Sequence, residues 1–159
     1  MIIKFDNISQ VAIVVRDLDK TVKYFWKELG VGPWKIWYMN PKTVNDMTLH
    51  GKPSKHSFRI AEAMVDDVSM ELIEHLEGET IYKEFLEKHG EGIHHLKYIA
   101  KDPEAILEKF KKEGIGILQS GRVGKCSYYY LDTQSKLGFI LEVCIGQPDR
   151  PPDRIYPSE

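Results

Sequence analysis

Two stretches of this chain repeat one local pattern, and the repetition constrains the fold more than any other feature. Gln10-Val11-Ala12-Ile13-Val14-Val15-Arg16-Asp17 and His95-Leu96-Lys97-Tyr98-Ile99-Ala100-Lys101-Asp102 each begin with a polar residue able to bind a metal. Each continues as a strand-like run and ends at an aspartate placed to open an amphipathic helix. The ends of the two copies match as well: Ser69-Met70-Glu71-Leu72-Ile73 echoes Ile140-Leu141-Glu142-Val143-Cys144. Two copies that each carry one nitrogen or amide head and one carboxylate imply a single shared site of four ligands. The alternative is two unrelated strands that happen to look alike. Burial favours the first reading, because polar groups flanked by apolar residues need partners. A divalent cation would satisfy all four at once.

The pattern between these anchors predicts the remaining elements. In residues 8–15, Val11, Ile13 and Val15 alternate with Gln10, Ala12 and Val14, the period of a strand. Asp17 or Asp19 caps a helix whose apolar stripe is Val22, Phe25, Trp26 and Leu29, stopped by Gly30. Trp34–Met39 reads as a short aromatic strand, and 40–55, with two prolines and a glycine, as a loop. Residues 58–65 and 68–75 form a hairpin around Asp66-Asp67. A short helix covers 80–88 and a strand 92–100. Asp102 and Pro103 open a helix buried through Ile106, Leu107 and Phe110. Strands at 115–119, 127–131 and 139–145 follow. The order is βαβββ, a linking helix, then βαβββ again. The fold class is α+β, a single domain over 1–159 with internal repeats at about 8–75 and 93–145. The tail, 147–159, is expected to lie extended over the surface or a partner.

Bulk properties exclude several function classes. With 24 acidic and 22 basic residues spread through 159, there is no basic stripe for nucleic acid. No apolar run approaches the ~20 residues of a membrane span. Met1-Ile2-Ile3-Lys4-Phe5-Asp6 has no apolar segment ahead of a cleavage site, and Cys126 and Cys144 form no metal or disulfide motif. A reduced, cytoplasmic protein is expected.

The paired layout and the four polar positions resemble the vicinal-oxygen-chelate (glyoxalase/bleomycin resistance/dioxygenase) superfamily. Within it, Gly90-Glu91-Gly92-Ile93-His94-His95-Leu96, preceded by Tyr82-Lys83-Glu84-Phe85, looks most like methylmalonyl-CoA epimerases. The similarity spans roughly 8–145. The resemblance implies paired βαβββ modules whose half-barrel cups one divalent metal held by Gln10, Glu71, His95 and Glu142. Gln10 stands where such epimerases commonly have histidine. That ligand set also occurs in some glyoxalase I enzymes. Epimerases of the family often carry a second acidic base after the second strand, where this chain has only Asp46 within 40–55.

Two carboxylates, an imidazole and an amide oxygen suit Zn, Co, Mn, Ni or Fe(II) without choosing among them. The implied chemistry is abstraction of a proton α to a carbonyl through a metal-stabilised enolate, with Glu142 or Glu71 doubling as the base. The expected activity is an isomerase of the methylmalonyl-CoA epimerase type. A glyoxalase I-type lyase acting on a thiol adduct is the runner-up, and a metal-free small-molecule binding protein of the same fold is a third reading. The implied partners are a small-molecule substrate, with an acyl-CoA among the candidates, and a second copy in a homodimer. His94 is expected on the opposite face from His95 by period two, and Lys97 on the same face, pairing with a neighbouring carboxylate. Trp34, Trp37 and tyrosines 128–130 are either pocket wall or core, with core the commoner fate. Lys109, Lys111 and Lys112 read as a solvated helix face.

Overall fold

The alternating run at the head of the chain folds as strand β1 (Gln10–Val14) in a computed structural model of the protein, which describes residues 4–158. Met1, Ile2 and Ile3 of the opening run, and Glu159 of the tail, lie outside the described residues. Helix α1 (Leu18–Leu29) starts where Asp17 accepts the Lys20 amide and stops at Gly30, whose φ of 66° suits glycine. Its buried side is Leu18 and Val22 with Phe25. Trp26 and Leu29, expected in that stripe, are 37% and 62% exposed, because the helix meets the sheet one turn earlier than the apolar spacing suggests.

Strand β2 (Trp34–Met39) matches the aromatic run. The expected loop after it is corrected by the structure: it contains β3 (Asn45–Leu49) and β4 (Lys52–Pro53). Strands β5 (Ser57–Val65) and β6 (Val68–Glu77) form the expected hairpin, with Asp66 at φ 54° in a two-residue turn. Helix α2 (Ile81–His89) is capped by Thr80 and ends at Gly90. The second copy then runs through β7 (Gly92–Tyr98), α3 (Pro103–Lys112), β8 (Ile117–Val123), β9 (Cys126–Leu131), a short α4 (Gln134–Leu137) and β10 (Ile140–Ile145). The strand expected at 115–119 thus begins later and runs four residues further. The tail adds β11 (Arg154–Tyr156), antiparallel to β2.

All strands belong to one mixed sheet in the order β11-β2-β5-β6-β1-β7-β10-β9-β8-β3-β4. The duplication is explicit in the pairing. β1 lies parallel to β6 and β7 parallel to β10, and the copies meet where β1 and β7 run antiparallel. Each copy packs its helix on the outer face: α1 sets Leu18 and Val22 against Trp34 and Leu72, and α3 sets Ile106 against Tyr98, Leu141 and Val143. A third apolar cluster, with Phe58, Ile73, Tyr82 and Tyr130, fills the inner face and includes α2. The fold is the α+β glyoxalase-like arrangement of paired βαβββ modules around a curved sheet. Among the described residues, no helix is long and apolar enough to cross a membrane.

Candidate functional site

Two neighbouring rows of residues cross the inner face of the sheet. Strand register lines up Glu62, Glu71, Ala12 and His95 from β5, β6, β1 and β7. The adjacent row holds Gln10, Lys97, Glu142 and Tyr130 from β1, β7, β10 and β9. Paired strands lie about 4.8 Å apart, so Glu71 and His95 are separated by one intervening residue. That residue is Ala12, fully buried, and its methyl leaves room for the larger side chains to converge over it. His95 Nε2 lies 3.4 Å from Glu71 Oε2 and 3.2 Å from Glu142 Oε2. Gln10, 3% exposed, donates its Nε2 to Glu62 Oε1 at 3.2 Å, which turns its own carbonyl oxygen away from Glu62. The four residues read from the echo are therefore near neighbours on one face.

His94 departs from its expected place. Ala12 pairs with His95 but Ile13 pairs with Ile93, so a bulge leaves His94 unpaired and breaks the alternation. The His94 ring consequently lies beside His95, with Nδ1 to Nδ1 at 2.9 Å, as well as against Tyr82 and Phe85 of α2. Burial, and then the charge on His95, push His94 well below the usual imidazole range. With His94 neutral, a proton on His95 Nδ1 would be donated to His94 Nδ1, leaving His95 Nε2 directed at the carboxylates.

The electrostatics follow from enclosure. Burial works against charging His95, yet the Glu142 and Glu71 carboxylates prevail and hold it up at about 9. Burial would raise Glu142, but the Lys97 ammonium and His95 bring it down to about 2. Lys97 Nζ is 3.8 Å from Glu142 Oε1, the carboxylate pairing read for it, and that charge raises the Lys97 ammonium above its ordinary range. Glu62 did not stand out in the sequence. Burial first, and the charge of Glu71 second, lift it to about 7. Cys144 Sγ donates to Glu142 Oε1 at 3.4 Å. Asp46, the carboxylate within 40–55, is exposed and pairs with Arg122 at 3.2 Å.

Among the described residues, no three His, Cys, Asp or Glu side chains are gathered into a complete ion-binding group. The donor set nonetheless fits a cation on one observation. Gln10 Oε1, Glu71 Oε2, His95 Nε2 and Glu142 Oε2 are all buried without a hydrogen-bond partner. Seven other buried side-chain polar atoms among the described residues also lack a partner, but these four supply one from each residue of the echo, which is what a shared dication would satisfy. Two ligand atoms at right angles around an ion at about 2.1 Å stand roughly 3 Å apart, close to the His95–carboxylate spacings.

Glu62, Glu71, Lys97 and Glu142 line the floor of a cavity of about 520 Å³, beneath which His95 is fully buried. Trp37, Phe58, Tyr128 and Tyr130 line it, while Trp34 is buried under α1, so the aromatic residues divide between wall and core. Lys109 and Lys112 pair with Glu113 and Glu108 on the open face of α3.

Comparison with known proteins agrees with this fold. The family model described as Glyoxalase/Bleomycin resistance protein/Dioxygenase superfamily matches residues 9–130. No curated protein matches the chain. Among solved structures, a hypothetical protein, BH1468, from Bacillus halodurans C-125 is similar at 20% identity and TM-score 0.68, covering 92% of this chain and 99% of its own. Methylmalonyl-CoA epimerase from Mycobacterium tuberculosis is similar at 19% identity and TM-score 0.66, covering 89% of this chain and 88% of its own. A methylmalonyl-CoA epimerase in complex with methylmalonyl-CoA and NH4+ is similar at 19% identity and TM-score 0.68, covering 94% of this chain and all of its own (100%).

Proposed function

Since the chain belongs to the Glyoxalase/Bleomycin resistance protein/Dioxygenase superfamily, we propose that it is a divalent-metal-dependent isomerase acting on a carbon acid, with methylmalonyl-CoA epimerase the nearest named activity. The observation that carries this reading is the set of four orphaned atoms on the inner face. Gln10, Glu71, His95 and Glu142 would hold the ion. When bound, it supplies Lewis-acid stabilisation of the charge that develops on a substrate carbonyl as its α-proton leaves.

The chain's own residues account for the rest. His94 fixes the tautomer and tilt of His95. A ligand seated against the aromatic wall would displace water from the cavity, which would strengthen charge interactions at its floor. Glu142 is the first choice for proton transfer, because it is buried at the cavity floor and bridges His95 and Lys97. Glu62 offers a second carboxylate outside the proposed ligand set, lining the same cavity. Two carboxylates on different strands suit an isomerisation in which one group removes the proton and another returns it. A glyoxalase I-type lyase needs the same cluster and remains the alternative activity.

Exchange of the α-proton of methylmalonyl-CoA in D2O, followed by NMR beside a hemithioacetal assay, tests the activity. Metal content of protein purified without chelator tests the site. Glu142→Gln is expected to lower exchange by about 100-fold or more while leaving the circular dichroism unchanged. Full exchange by E142Q would remove Glu142 from the mechanism. Absence of bound ion after supplementation with Zn, Co, Mn and Ni would favour the metal-free binding protein.

A further inference from the structure

The segment after β10 lines the cavity and is tied down on both sides. On the side of the second copy, Asp149 Oδ1 accepts the Lys125 amide at 3.4 Å and packs onto Gly124, where a β-carbon would leave no room. On the side of the first copy, Trp37 Nε1 donates to the Arg150 carbonyl at 3.1 Å, and the Tyr38 amide donates to Asp153 Oδ2 at 2.7 Å. Strand β11 then continues the attachment along β2. Residues 148–152, three of them proline, therefore form a fixed strap along the cavity wall. All of it lies beyond residue 130, where the family match ends.

The strap delivers one group whose hydrogen bonding is unfinished. Arg150 Nη2 donates to both Asp153 oxygens, at 2.6 and 2.8 Å, which fixes the guanidinium plane. Arg150 Nη1 is buried and has no partner, and the residue lines the cavity. A buried donor without a partner is costly, and a planar guanidinium held on one side is suited to grip an oxyanion with the other. Lys35 lines the same wall, whereas the floor carries Glu62, Glu71 and Glu142. Asp149 also lines the strap side and Lys97 the floor, so it is the unpartnered Arg150 nitrogen, rather than a net charge, that would select an anionic group at one end of a ligand.

We propose that the strap and the cavity wall form an oxyanion subsite, in which Arg150 binds a carboxylate or phosphate on the ligand whose other end reaches the His95 cluster. The subsite rests on the proposed function for that second contact, but its anion binding does not depend on a metal. The probes are malonate and inorganic phosphate, titrated at low salt into chelator-stripped protein and followed by tryptophan fluorescence and calorimetry. Wild-type protein binds at least one of them, and Arg150→Gln weakens it by about 10- to 100-fold, the loss expected for a charge-assisted contact. Arg150→Lys retains the charge but not the fork and falls between. A preference for malonate assigns the subsite to carboxylates, and the reverse to phosphates.

Two results overturn the proposal: no binding of either anion to the wild type, or equal binding by R150Q and wild type. Near-UV circular dichroism separates a loosened strap from a lost contact, and an R150Q spectrum unlike wild type accompanied by unchanged R150K binding also overturns it. Metal content, measured on parallel preparations purified without chelator and supplemented with Zn, Co, Mn and Ni, keeps the two readings apart. Arg150-dependent anion binding without any bound ion sinks the isomerase and keeps the subsite. A bound ion with Arg150-independent anion binding does the opposite.

Discussion

Two fully enclosed histidines, His94 and His56, are both held neutral by burial, and they differ in what surrounds them. His94 abuts His95 and acts through it. His56 lies just before β5, 1% exposed, with Nδ1 3.2 Å from Ser54 Oγ and its Nε2 unpartnered. Burial, and then the charge of His75, lower His56 to about 4. A lowered histidine releases its proton on folding, so the folded state is penalised as pH falls from the unfolded value near 6.5 toward 4. The penalty is absent above that window. Replacing His56 with Phe, which keeps a ring beside Phe58, is expected to flatten this arm. Between pH 7 and 4.5, wild type should lose on the order of 1–2 kcal/mol more than H56F in urea denaturation. Parallel curves for the two proteins would show that His56 does not control the acid response. The same scale explains what the sequence revealed of the site. Gln10, Glu71, His95 and Glu142 were legible because each interrupts an apolar run at an echoed position. Glu62 was not, since Ile60-Ala61-Glu62-Ala63 reads like any strand with one solvent-facing acid. Only its pairing opposite Glu71, through a hairpin register, turns it toward the cavity.

Elements whose signals are local were legible for the same reason that they are stable. Asp17, Thr80 and Asp102 each accept an amide three residues on, so the helix starts are written in neighbouring residues. β3 was missed because it is held by β8, about seventy residues later in the chain, and its own sequence is polar; β4 is only two residues long and pairs with β3 alone. The contact between these elements depends on Gly121 in β8. A β-carbon there would stand 2.7 Å from Tyr128 Cζ and 2.8 Å from Val44 Cγ1, inside van der Waals distance of both. Glycine lets the Tyr128 ring lie flat over β8, where it lines the cavity. Gly121→Ala is expected to cost about 1–3 kcal/mol by overpacking, read as a lower urea midpoint, and to displace Tyr128. A midpoint equal to wild type would show that the sheet relaxes around the added methyl and that the glycine is not needed for this packing.

At the scale of the whole molecule, the proposed site is distributed evenly over the duplication: Gln10 and Glu71 come from the first copy, His95 and Glu142 from the second. Each copy has its own outer apolar cluster beneath its own helix. The copies are joined by the antiparallel β1–β7 seam and by the inner cluster that includes α2. A cation held by all four residues would bind the joined state alone, since either copy by itself supplies one carboxylate and one neutral ligand. Its binding energy would therefore appear as stability of the seam. An ion at 100 times its dissociation constant adds about 2.7 kcal/mol, which for a chain of this size corresponds to a rise in Tm of roughly 5–10 °C. Thermal denaturation with Zn, Co, Mn or Ni added to chelator-stripped protein measures it. The gain should be lost in Glu142→Gln, and it should be lost equally in Glu71→Gln, because removing a carboxylate from either copy leaves the dication undercompensated. A gain that survives E71Q but not E142Q would place the ion in the second copy alone, and the duplication would then account for the fold without accounting for the site.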